Sequence, residues 1–135
     1  MSALTRDRAT PYREGIEVEY PVAANTKIYA GSLVCVNAAG FATPAADTSG
    51  YRFVGVAMEQ VDNSSGADGG VVVRVRRTGV FEFDAASIDA TMVGGPMYAA
   101  DDHTFDDAEG PVNDIKVGQL VKYVSATKGW IDIAR

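Results

Sequence analysis

The chain has 135 residues, 47% of them apolar, and a formal net charge of −6. A length of that order points to one domain, able to bury about two-thirds of its unfolded surface without a metal or disulfide. The acidic balance argues against nucleic acid as a partner, no stretch nears the ~20 apolar residues that span a bilayer, and residues 1–10 lack a signal-peptide pattern; we expect a protein made in the cytoplasm that engages neither nucleic acid nor membrane.

Residues 1–22 read as an extended N-terminal arm. Arg6, Asp7, Arg8 and Arg13 are scattered there with Pro11 and Tyr12, without helical or strand period. Ile16-Glu17-Val18-Glu19-Tyr20 then alternates apolar with acidic residues, which puts Ile16, Val18 and Tyr20 on one strand face. Pro21 ends the run, because proline donates nothing to a ladder. Such an arm is expected to lie on something other than itself.

Residues 23–135 read as short strands separated by turns. Strand regions are predicted over 28–36, from 41, over 53–61 and over 71–83, the last with a bulge at Arg77 and Gly79. In that last region Val73, Val75, Phe81 and Phe83 share a core-facing parity. One helical turn fits residues 84–89, and no long amphipathic helix is predicted. Two segments repeat. Ala30-Gly31-Ser32-Leu33-Val34-Cys35-Val36-Asn37 with Phe41 is echoed by Gly94-Gly95-Pro96-Met97-Tyr98-Ala99-Ala100-Asp101 with Phe105, and Val54-Gly55-Val56 by Val117-Gly118-Gln119. The expected architecture is therefore mainly β, a sandwich or barrel with an internal duplication of half-repeats 23–83 and 90–135.

His103 is the single histidine and stands in an acidic hairpin tip without a local nucleophile, so no catalytic residue is predicted. Residues 101–114 hold six carboxylates, but their adjacent pairs do not follow a calcium-loop pattern, and no metal or other cofactor is expected. Gly66-Ala67-Asp68-Gly69-Gly70 lacks the Lys-Ser/Thr and helix of a phosphate loop. Arg74 and Arg76 share the solvent face of their strand, opposite Glu82, and are expected to pair with carboxylates. Cys35, the lone cysteine, reads as a small buried residue. An arm and sheet edges remain, and these are instruments of assembly, since an extended segment can add as a strand to a partner's edge.

The order of signatures resembles a known family. Arg13-Glu14-Gly15-Ile16-Glu17-Val18-Glu19-Tyr20, Ala30-Gly31-Ser32-Leu33-Val34-Cys35-Val36, Val54-Gly55-Val56-Ala57 and Ser65-Gly66-Ala67-Asp68-Gly69 are followed by Val71-Val72-Val73, Thr78-Gly79-Val80-Phe81-Glu82-Phe83, Gly95-Pro96-Met97-Tyr98 and Val117-Gly118. This is similar to the capsid cement, or head decoration, proteins of tailed bacteriophages, over nearly everything from Gly15 onward. The resemblance implies a β-tulip or β-sandwich body, assembled as a homotrimer on the outer capsid surface of the virion. It implies a structural, non-enzymatic role, stapling major capsid subunits of the HK97-like fold. The arm from Ser2 to Arg13 is longer than that family requires. The capsid-contact candidates are Arg6, Arg8, Tyr12, Arg13, Ile16, Val18 and Tyr20, with tyrosine and arginine as anchors. The competing expectations are another virion β domain, of a tail tube or fibre base, and a small ligand- or metal-binding β module.

Overall fold

The computed structural model describes residues 3, 5–9, 15–108 and 111–134 and is mainly β, as expected. Its strands are β1 (Glu17–Pro21), β2 (Thr26–Ile28), β3 (Leu33–Val36), β4 (Ala42–Pro44), β5 (Arg52–Ala57), β6 (Val61–Asn63), β7 (Val72–Arg76), β8 (Val80–Ala85), β9 (Pro96–Ala99), β10 (Thr104–Asp106), β11 (Lys116–Ser125) and β12 (Lys128–Asp132). The first unit is a sheet in the order β1-β7-β5-β3-β4, and the second is a closed barrel in the order β10-β8-β12-β11-β9. Strands β2 and β6 pair as a small ribbon beside the first unit. The one helical turn among the described residues, a 3-10 turn over Ala90–Met92, follows the segment expected to be helical; its N-cap is Asp89, whose carboxylate accepts from the Thr91 N–H.

The two units repeat one another strand for strand. Begun at β8, the closed barrel order reads β8-β12-β11-β9-β10, with β8 in the place of β1. Glu17 faces Arg76 across β1 and β7, and Val80 faces Asp132 across β8 and β12. Val34 pairs with Gly55 and the register then slips past Val54; Met97 pairs with Gly118 and the register slips past Val117. The same β-bulge therefore recurs in both units. Closure recurs too. A parallel bridge joins Val22 to Ala42, where β8 and β10 pair in parallel through Ala85 and Phe105. The Ala23 N–H donates to the Ala42 carbonyl at 3.0 Å, and the Ala86 N–H to the Phe105 carbonyl at 2.9 Å.

These pairings correct three expectations. The strand of the supposed arm is built into the fold: β1 lies along β7 and Val22 is fully buried, so Glu17 to Val22 belong to the body and not to an arm. The half-repeats are not 23–83 and 90–135, because β1 opens the first unit and β8 opens the second. The alignment also moves by one residue, so that Val34, not Leu33, matches Met97, and Ala42, not Phe41, matches Phe105. A one-residue slip turns every side chain to the other face of a strand, so the inward parity of each unit decides the register.

Residues 71–83 are likewise two strands and not one with a bulge. β7 belongs to the first sheet, β8 to the barrel, and Gly79, with φ of +128°, sits at the crossing. Val73 and Val75 face a cluster with Val22, Ile28, Val34, Ala42 and Ala57. Phe83 faces a larger cluster built on Met97, Phe105, Val117, Leu120 and Ile131. β3 serves both: Val34 points into the first cluster, Leu33 and Cys35 into the second. That is why Leu33-Val34-Cys35-Val36 is an unbroken apolar run, as in any strand covered on both faces. Burial pushes the Cys35 thiol up to about 12, which keeps it protonated and inert.

Candidate interaction surface

The seven contact candidates fall into three groups. Arg6 and Arg8 are exposed on the segment ahead of the body, and Tyr12 and Arg13 lie outside the described residues. Ile16, Val18 and Tyr20 belong to the fold itself. The Ile16 carbonyl accepts from the Arg77 N–H at 2.7 Å, leaving its side chain 45% exposed. Val18 and Tyr20 are half-buried, and Tyr20 packs against the first unit's core.

Arginines on β7 are paired within the chain, but not with Glu82. The Arg74 Nε lies 3.1 Å from Glu59 Oε1, and both Arg74 and Arg76 approach Glu17 at 3.9 Å. Glu82 is instead on β8, in the other unit, opposite Trp130 of β12. All of these side chains are well exposed, so the pairs order the outer face of the sheet rather than contribute much stability.

His103 is more engaged than its sequence neighbours suggest. Its Nδ1 lies 3.0 Å from Asp84 Oδ2 and its Nε2 lies 3.5 Å from Asp101 Oδ1. The hydrogen bond to Asp84, with the fields of Asp101 and Asp102, raises its pKa above the ordinary 6.5. Sequence reasoning missed this because Asp84 is distant in the chain and arrives through the parallel pairing of β8 with β10. Asp101, Asp102 and His103 bring their ligand atoms within 4.8 Å of one another, the one such group among the described residues. Both ring nitrogens already face carboxylates, so the group serves as an electrostatic clasp on the hairpin tip. The backbone of that tip also joins the units, the Asp102 carbonyl accepting from the Leu33 N–H at 2.8 Å.

Two further features form the outer surface. The far end of β11 exposes Val121, Tyr123 and Val124, beyond the reach of either core. Between the units runs an apolar groove of about 310 Å³, walled by Val56, Ala57, Met58, Phe81 and Phe83, with Arg76 at its side. Comparison with protein-family models, curated proteins and solved structures finds no match to this chain.

Proposed function

We propose that this chain is a structural protein of the bacteriophage virion, a capsid cement protein that binds the outside of an icosahedral head as a homotrimer and bridges neighbouring major capsid subunits. The reading rests on the ordered signatures from Gly15 onward that resemble the head decoration family. The observation that carries it is the exposed arginine-bearing segment leading into an edge strand of a duplicated β body. A protein of that shape acts by mass action. Each bound copy favours the assembled lattice over separated subunits, and several arms in one assembly multiply modest contacts. The proposed role is non-catalytic. Val121, Tyr123 and Val124 offer a second contact, with the tyrosine as its anchor.

The test is deletion of residues 1–14, a boundary set by β1. Removing residues as far as Val22 would strip a strand from the sheet and uncover Val73 and Val75. The shorter deletion should leave the thermal melt of the body unchanged and abolish its occupancy of expanded heads in a sedimentation assay. Undiminished occupancy would refute the arm-mediated reading. Binding to isolated tails in place of heads would point to the tail-tube or fibre-base alternative.

A further inference from the structure

Strand β8 has one edge covered along its length and one covered only at its end. Val80 to Asp84 all pair with β12, whereas on the other side only Asp84 and Ala85 pair with β10. Backbone direction alternates along a strand. The Ala85 N–H points to β12, donating to Thr127, while the Asp84 N–H points the other way, donating to His103. Val80 and Glu82 have the parity of Asp84, so their N–H and C=O groups face the open side. That edge borders the apolar groove, to which β8 contributes Phe81 and Phe83. From Val80 to Phe83 that edge has no partner strand among the described residues, and an open stretch beside an apolar groove is the arrangement that takes an added strand.

We propose that this edge receives residues 5–9 of a second copy of the chain, which add to β8 as an extended strand and link copies to one another. The charge pattern selects that segment. Thr5-Arg6-Asp7-Arg8-Ala9 alternates, and so does the edge: Glu82 and Asp84 point outward from β8, while Arg76 stands in the groove wall. An added strand with its arginines outward sets one of them opposite Glu82, within diagonal reach of Asp84. The other lays its stem over Val80, which is 49% exposed. Asp7 then turns inward toward Arg76. The edge strand β1 fits badly, because it would set Glu17 and Glu19 against Glu82 and Asp84.

This inference goes beyond the capsid reading and does not depend on it. It assigns Arg6 and Arg8 to the contact between copies and leaves Tyr12 and Arg13 for the lattice. The edge is short, so the association is expected to be reversible and to depend on concentration.

The experiment is sedimentation equilibrium of the full chain and of three variants: Glu82→Arg, Arg6→Glu with Arg8→Glu, and all three changes together. The wild type should associate. The first two variants should each weaken association at least about tenfold, and the combined variant should recover it, because the charges are exchanged rather than lost. Thermal melts close to wild type establish that each variant is folded. In addition, Arg6→Cys in one protein and Glu82→Cys in another should form a mixed disulfide dimer, the native Cys35 being buried in both. A monomer at all concentrations, or association untouched by Glu82→Arg, overturns the proposal. If Glu82→Arg instead abolishes head occupancy by a monomeric protein, the edge serves a lattice subunit and the second-copy assignment is wrong. If association behaves as expected while removal of the arm leaves occupancy intact, this inference stands and the capsid reading falls.

Discussion

The recurring bulge makes a quantitative test of the duplicated architecture. A Cβ on Gly118 would stand 2.5 Å from the Asp132 carbonyl oxygen, 3.1 Å from its carbon and 3.3 Å from the Ile133 Cα. A Cβ on Gly55 would stand 2.4 Å from the carbonyl oxygen of Arg76, the residue equivalent to Asp132. In both cases the obstacle is backbone, so relief requires the bulged strand to move off its neighbour. Overpacking costs about 1–3 kcal/mol, and a rigid obstacle puts Gly118→Ala in the upper half of that range. Gly55 also has φ of +151°, so Gly55→Ala should cost about 1–3 kcal/mol more. Gly31→Ala is the control. Its φ is +83° but a Cβ there meets nothing within 4 Å, so the cost should be about 1 kcal/mol. Urea unfolding with a common slope should rank the losses Gly31→Ala, Gly118→Ala, Gly55→Ala in ascending order. A Gly118→Ala protein as stable as Gly31→Ala would refute the argument that close backbone approach fixes glycine at both bulges.

Two other outcomes follow from side chains that hold loops and tips. Asn63 is buried, and its Nδ2 donates to the carbonyls of Val22 at 3.2 Å and of Ala23 and Ala67 at 2.9 Å. Asn63→Ala should cost about 2–3 kcal/mol by leaving those acceptors unsatisfied, and limited proteolysis should then cleave within residues 64–70. The His103 pKa is raised in the folded state by Asp84 and its neighbours, so the imidazolium stabilises the fold. That stabilisation is complete below the unfolded value of 6.5 and is lost as pH rises through the folded value. The melting difference between wild type and His103→Ala should therefore shrink from pH 5.5 to pH 8, and a difference that grows over that window would contradict the assignment.

Local signals carried much of the fold. The alternation around Val18, the apolar run of β3 and the turn at Asn37 are each written in neighbouring residues. The Asn37 carboxamide accepts from the Ala39 and Phe41 N–H groups, and Gly40 supplies φ of +92°. The rest depended on contacts between distant segments. Nothing near Glu17 announces that Arg76 will lie opposite it. The common parity of Val75 and Phe81 runs straight through Thr78 and Gly79, so two strands of different units read as one. The pairing of Arg74 and Arg76 with carboxylates was foreseeable from charge, while the identity of the carboxylates was not. The candidate surface was least legible of all. The open edge of β8 exists because β10 is short, and strand length is set by where partners stop.

The two-sided burial of β3 bears on how the protein breaks. A cut within residues 77–79 would separate the chain into its two repeats with every strand of each intact. The first piece would still carry Leu33, Cys35 and Val56 pointing at a missing neighbour, and the second would lose the cover those side chains give its barrel. Neither fragment is then a free-standing miniature of the other. Mixed together, the two pieces should reconstitute the whole; kept apart, each should stay sticky and poorly ordered. The repeat is a unit of sequence and topology, while the unit of folding is the pair.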